Sequence, residues 1–273
     1  MIEEHMREFP SCQDYRRFAR SVASRSRYVF EPHAEDFLQT VIETGASRVD
    51  TLEAGSILYR AQLGYELEWH PVDPNDPDGE KFDVPGAFSP ARMKPLRDSA
   101  REGRVNPKGI PCLYLADDAD TAMAETRPWI GLYVSLAEFK IMASLKIMNL
   151  PEPKHYFGHI FLSPPHFREP EAAERQEAVW GEIAYAFSEP VTTSDMTADY
   201  APTQVLAEAF RKAGCDGIRY KSRLGKGYSF ALFDLDSADL VNCVIFETKA
   251  VTFEFHQAGN PYFVKEHYPE LAE

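Results

Sequence analysis

The chain has 273 residues, with 29 Lys+Arg against 43 Asp+Glu, a formal net charge of −14, and 44% hydrophobic residues. That much apolar material builds a sizeable core and excludes a disordered chain. The acidic balance argues against a general DNA or RNA binder, which needs clustered Lys/Arg to neutralise phosphates, while leaving room for a local site for a small phosphorylated ligand.

No run approaches the ~18 apolar residues of a membrane span, and the start MIEEHMREFP lacks a signal-peptide pattern. Cys12, Cys112, Cys215 and Cys243 are far apart and without CxxC spacing, so they read as reduced thiols. The expectation is a soluble cytoplasmic protein of one large domain, or one domain with a small appendage. There is no internal repeat.

Residues 1–50 are expected to be a helical segment. DYRRFARSVASRSRYVF places Phe18 with Val22, and AEDFLQTVIETGA places Phe37 with Val41 and Ile42, at helical spacing. Pro32 separates the two helices and Gly45 can end the second. Arg16, Arg17, Arg20, Arg25 and Arg27 form a basic cluster that reads first as a solvated helix face; it could otherwise dock an acidic partner or line a homodimer interface. From Ser56 the period changes. SILYRAQL is a strand, and HPVDPNDPDGE is a surface loop, lacking the ligand pattern of a calcium loop.

In GRVNPKGIPCLYLADDADTAMAETRP, Gly103, Pro107, Gly109 and Pro111 mark turns. CLYLA is a buried strand, Asp118 caps a short helix carrying Thr121 to Thr126, and Pro128 ends it. LYVSLAEFKI and SLKIMNL read as strands, with a helix around Glu177–Phe187. A further helix is expected from a Thr203 cap to a Gly214 stop, with Val205, Leu206, Ala209 and Phe210 on one side. DGIRYKS and YSFALFDL are strands joined by the RLGKG turn, and VTFEFH, a GNP turn and YFVKE suggest a closing hairpin. Strands interspersed with short helices indicate α+β with a mixed sheet rather than a doubly wound fold.

Three residues draw attention as chemistry. Glu125 lies on a helix directly after a strand, beside Ala119 and Ala122, on a face expected to be partly buried; such a carboxylate is either a structural ion pair or a working group. Arg104, in a Gly-flanked turn, is a surface charge or a phosphate fork. Tyr114, mid-strand, is a core tyrosine or a stacking platform. Other signals are weaker. His155 and His159 have i, i+4 spacing but no third ligand, so no metal site is expected. The GKG turn fits neither a Walker loop nor a dinucleotide fingerprint, and Lys226 reads as an exposed hairpin lysine. Cys112 reads as a small buried hydrophobe.

The stretch GRVNPKGIPCLYLADDADTAMAE resembles the signature of the RES domain, a bacterial family named for its Arg, Glu and Ser residues: a Gly-Arg-x-Asn turn, a Gly-x-Pro step, a Leu-Tyr-Leu-Ala strand and a helix ending in Ala-x-x-Glu. The family's later Ser is best matched by Ser222 in GIRYKS, and LYR at residues 58–60 is similar to its opening strand. The resemblance covers about residues 55–245, within a domain spanning 51–273.

It implies an ADP-ribosyltransferase-like mixed β-sheet core and an NAD-degrading enzyme, acting by hydrolysis or phosphorolysis, with NAD as substrate rather than cofactor. It further implies a toxin with a cognate antitoxin encoded beside it. Carried over, Glu125, Arg104, Tyr114 and Ser222 become the candidate catalytic residues; Arg60, Asn106 and Ser229 become substrate-binding candidates. Arg104, with Arg60, would clamp the pyrophosphate, Tyr114 would stack on nicotinamide, and Ser222 would hydrogen-bond rather than attack. Ser229 stands where many members have Asn. The alternatives are ADP-ribosyl transfer to a protein or nucleic acid, and a non-catalytic binding module on the same fold.

Overall fold

The computed structural model describes residues 7–76, 78–153, 170–189, 197–257 and 259. Its centre is an eight-stranded sheet in the order β1-β7-β8-β9-β5-β2-β6-β10, beside a two-stranded ribbon, β3-β4. The strands are β1 (Val49–Leu52), β2 (Ile57–Leu63), β3 (Glu66–Pro71), β4 (Lys81–Gly86), β5 (Leu113–Ala116), β6 (Tyr133–Ile141), β7 (Leu145–Asn149), β8 (Gly217–Lys221), β9 (Tyr228–Leu232) and β10 (Ala238–Glu247). The helices are α1 (Asp14–Ser24), α2 (Pro32–Gly45), α3 (Pro90–Met93), α4 (Ala119–Glu125), α5 (Ala172–Ser188) and α6 (Ala201–Lys212). Within the eight-stranded sheet, β7 and β8 pair in parallel and the other neighbours are antiparallel. A parallel pair needs a long crossover, and α5 and α6 lie within it. The expected α+β class with a mixed sheet is the observed one.

Alternation along the strands divides the core in two. Met148, Ile218, Tyr220 and Ala231 pack under α1, α2, α5 and α6, in one cluster with Phe18, Phe37, Trp180 and Phe210. Ile147, Leu113, Phe230 and Leu232 belong to a second cluster with Phe88 and Met93. The expected N-terminal helical segment is therefore part of the main core. Phe18 stacks on Phe37 with ring centroids 4.6 Å apart, and the Trp180 indole N–H donates to the Thr44 hydroxyl at 3.2 Å. Pro32 occupies the first turn of α2, where its missing N–H costs nothing. Three arginines of the basic cluster are held internally: Arg16 by Glu182, Arg17 by Asp14 and Arg25 by Glu31.

Four local expectations are corrected. The first helix stops at Ser24, short of Phe30. The residues on either side of the acidic loop pair as the β3–β4 ribbon, from Glu66↔Gly86 to Pro71↔Lys81, so His70 and Pro71 are strand and not loop. Helix α6 begins at Ala201, with Pro202 in its first turn, so Thr203 is inside the helix and does not cap it; Gly214 ends it with φ +91°. The last strand of the sheet is β10, paired along β6, while residues 251–257 carry no strand and YFVKE lies outside the described residues. No helix among the described residues is long and apolar enough to cross a membrane.

Because Phe18 is fully buried, 0% exposed, between the N-terminal helices and α5–α6, Phe18→Ala is expected to cost about 3–5 kcal/mol. A urea melt of the full chain checks this; a change under about 1 kcal/mol would show that α1 is not part of the core.

Candidate functional site

The site begins where the sheet opens. β5 pairs β9 through four successive positions from Leu113↔Leu232 to Ala116↔Ser229, and β2 pairs β6 from Ile57↔Lys140 to Leu63↔Val134. Between them, β2 and β5 meet only at Tyr59↔Ala116. Beyond that pair a side chain replaces the ladder: Arg60 Nη1 donates to the Tyr114 carbonyl oxygen at 3.0 Å. A cleft of about 320 Å³ lies there, its lining including Tyr59, Arg60, Tyr114, Glu125, Tyr220 and Ser229. A larger groove of about 550 Å³, between α2 and α6, contains none of these residues.

Arg60 is the half-buried charge of the cleft. No carboxylate among the described residues pairs with it, and its Nε is sealed from solvent without a hydrogen-bond partner there. Burial pulls its guanidinium down to about 10. A cation held at such a cost in desolvation is a natural partner for an anionic ligand.

Glu125 is the last residue of α4, a helix fixed directly after β5 by the Asp118 cap, whose Oδ1 accepts from the Thr121 amide at 2.7 Å. Ala122 packs with Ala116 and Leu136, so α4 lies close over the split sheet. Glu125 itself is exposed, not partly buried as its helix face suggested; the helix ends there and the carboxylate reaches the mouth of the cleft.

Ser222 Oγ donates to Glu125 Oε1 at 2.6 Å and accepts the amides of Leu224 at 3.2 Å and Gly225 at 2.9 Å. With both lone pairs taken, the hydroxyl proton is directed at the carboxylate, which makes Ser222 an orienting donor and not a nucleophile. Ser229 Oγ stands 3.4 Å from the same oxygen. Among the described residues Oε2 of Glu125 takes no hydrogen bond.

The other sequence candidates are placed differently. Asn106, expected to touch substrate, is buried and spent on its own loop: its Nδ2 donates to the carbonyl oxygens of Arg101, Pro107 and Ile110. Its Oδ1 accepts the Tyr114 hydroxyl at 2.7 Å, and that hydroxyl accepts the Val105 amide at 3.0 Å. Tyr114 is among the residues that line the cleft, but its hydroxyl is a structural peg, pushed well above the ordinary phenol range by burial. A Cβ on Gly103 would sit 2.6 Å from the Tyr114 hydroxyl and 2.8 Å from Asn106 Oδ1, so only glycine fits there.

Arg104 does not line the cleft. Its terminal nitrogens donate to the carbonyl oxygens of Phe187 and Glu189, at the C-terminal end of α5 where a cation is favoured. Its guanidinium lies 5.6 Å from the ring centroid of Tyr220, which does line the cleft. The turn that carries it is fixed, not open: Thr203 Oγ1 donates to the Arg104 carbonyl at 2.7 Å, and Gln204 Nε2 donates to those of Gly103 and Asn106.

Tyr220 is not singled out by the sequence, although it stands on β8 two residues before Ser222, which follows the strand's end. Burial pushes its phenol up to about 12. Cys112 is the small buried group expected, donating to the Leu232 carbonyl at 3.0 Å, its thiol raised to about 12 by burial. All four cysteines are free. Lys226 is exposed, and His155 and His159 lie outside the described residues.

Fold and site together define an α+β protein whose mixed sheet splits to form a cleft, with a hydroxyl-steered carboxylate at its mouth and, inside, an arginine that no carboxylate among the described residues pairs. The RES domain family matches residues 82–256, a stretch that contains Arg104, Tyr114, Glu125, Ser222 and Ser229 and begins after Arg60. The chain belongs to that family. Among solved structures it is similar to a chain of the MbcT–MbcA toxin–antitoxin complex of M. tuberculosis, at 14% identity over 76% of this chain and 92% of that one, with a TM-score of 0.35. No curated protein matches it.

Tyr114→Phe leaves the Val105 amide and Asn106 Oδ1 without their shared partner, so it is expected to lower stability by about 1–3 kcal/mol. Urea unfolding measures the loss; an unchanged midpoint would mean that the hydroxyl is not the peg described.

Proposed function

We propose that this chain cleaves NAD at the bond between nicotinamide and ribose, as the toxin of a toxin–antitoxin pair, with an antitoxin protein as its partner. The observation that carries the reading is the pairing of opposite charges across one cleft: Glu125, steered by Ser222, at the mouth, and Arg60, half-buried and without a counter-ion among the described residues, within. NAD presents both complements, a pyrophosphate and a cationic nicotinamide ribose. Membership of the RES family supports the same substrate and the toxin role.

The chemistry asks little acid catalysis of the protein. The C1′–N bond breaks with its electron pair going to the pyridinium nitrogen, so nicotinamide leaves neutral and the ribose becomes an oxocarbenium-like cation. Water or phosphate then forms the new bond at C1′, water losing a proton to solvent as it adds. A carboxylate near the ribose stabilises the developing cation and holds the ribose hydroxyls or the incoming nucleophile.

In this reading Oε1 of Glu125 is fixed by Ser222 while Oε2 faces the ligand. Arg60 takes a pyrophosphate oxygen from its place in the sheet. Tyr59, Tyr114 and Tyr220 line the cleft, and in this reading a heteroaromatic ring stacks against tyrosine there. Arg104 acts from behind Tyr220 and does not grip the pyrophosphate.

Incubating the purified chain with NAD, with and without inorganic phosphate, is expected to yield nicotinamide. ADP-ribose as co-product marks hydrolysis, ADP-ribose 1″-phosphate marks phosphorolysis, and label on a macromolecule marks transfer. Glu125→Gln keeps the shape and removes the charge, and is expected to lower kcat about 100- to 1,000-fold and to relieve growth arrest on expression. Intact NAD beside an active control would sink the proposal.

A further inference from the structure

We infer that Thr121 is a positioning residue, which acts through the turn between β8 and β9 to aim the Ser222 hydroxyl at Glu125. This rests on the reading of Glu125 as the carboxylate of the reacting centre.

Thr121 is fully buried in the first turn of α4, at the opposite end of that helix from Glu125. Its Oγ1 donates to Asp118 Oδ2 at 2.6 Å and accepts the Gly227 amide at 2.9 Å. The same Gly227 peptide is used twice, because its carbonyl oxygen accepts the Ser222 amide at 3.2 Å. An unbroken relay results: Thr121 fixes Gly227, Gly227 fixes the Ser222 backbone, and Ser222 donates to Glu125 at 2.6 Å. The strap is pinned to α4 at both ends, at its first turn and at its last residue.

The sequence of the turn is explained by this docking. A Cβ on Gly225 would lie 2.5 Å from Thr121 Oγ1, and one on Gly227 would lie 2.1 Å from Asp117 Oδ1 and from Asp118 Oδ2. The two glycines that flank Lys226 let the backbone lie directly on the helix N-terminus. Beside them, the Tyr228 amide donates to Asp117 Oδ1 at 2.7 Å and the Asp117 amide to the Tyr228 carbonyl at 3.1 Å. Asp117 therefore holds the start of β9 whether or not Thr121 keeps its hydroxyl. The Thr121 link governs the part of the turn that carries Ser222.

The test uses the full chain with Thr121→Val, which preserves shape and removes the hydroxyl, Thr121→Ser, which restores it, and Gly227→Ala, which lifts the turn from the helix. Thr121→Val is expected to lower kcat for NAD cleavage about 10- to 100-fold, with KM held within about threefold; Thr121→Ser recovers most of the loss. Amide hydrogen exchange is expected to quicken by about tenfold or more at both Gly227 and Ser222.

Faster exchange confined to Gly227 would overturn the inference, and so would a wild-type kcat in Thr121→Val. The exchange readout requires no substrate. If the wild-type chain leaves NAD intact, the functional proposal fails, and exchange at Ser222 still decides the relay. If Thr121→Val does not fold, Gly227→Ala decides it by the same two measurements.

Discussion

The interaction on which the rest of the site depends is the hydrogen bond from Arg60 to the Tyr114 carbonyl, made where the β2–β5 ladder gives out. A sheet that stops pairing in its interior leaves backbone groups facing each other without partners. The guanidinium satisfies one of them and holds the gap open. In doing so it places a cation among strands, with no carboxylate beside it among the described residues. A carboxylate at that position would neutralise the cleft. The split and the charge are two aspects of one arrangement, since the residue that bridges the strands is also the one that brings the cation into the cleft.

The remaining elements hold what the split exposes. On one side, α4 can sit over the opening because Ala116 and Ala122 are small, and its short length brings Glu125 to the mouth. On the other, the turn that carries Arg104 forms the backing of Tyr114 and Tyr220. It is tied to the C-terminal end of α5 through Arg104 and to α6 through Thr203 and Gln204. Those helices are in turn packed by α1 and α2, through Trp180, Phe210, Phe18 and Phe37. The N-terminal helices thus reach the cleft mechanically, two layers away from it, without contributing a side chain to it.

Much of this was legible in the sequence wherever a residue's role is local. The strand–cap–helix run LYLADDADTAMAE gave β5, the Asp118 cap and the position of Glu125, since each depends on neighbours a few places away. Ser222 came from the family resemblance alone, and its meeting with Glu125 is a contact across 97 positions that no local pattern encodes. The placement of Asn106 and Arg104 is hidden for the same reason. Asn in a turn and Arg near a glycine look available for ligand until three loop carbonyls and the end of α5 claim them. β10 was passed over because its burial is irregular along an edge strand with a bulge near Leu240 and Asn242, so no clean alternation marks it. The glycines of the RLGKG turn were visible, but their cause, a helix N-terminus pressed against them, was not.

Ser229 stands beside the carboxylate as part of the cleft wall. It is buried on β9, directly opposite Ala116, and its hydroxyl lies 3.4 Å from the oxygen of Glu125 that Ser222 already occupies. At that separation it adds little to the orientation of the carboxylate, which the 2.6 Å bond from Ser222 settles by itself. An Asn at this position would carry a longer donor toward the cleft; Ser leaves that space to ligand or water while keeping a polar group there. Ser229 therefore shapes a wall of the cleft, while the Glu125 carboxylate and the Arg60 guanidinium are held by Ser222 and by the Tyr114 carbonyl.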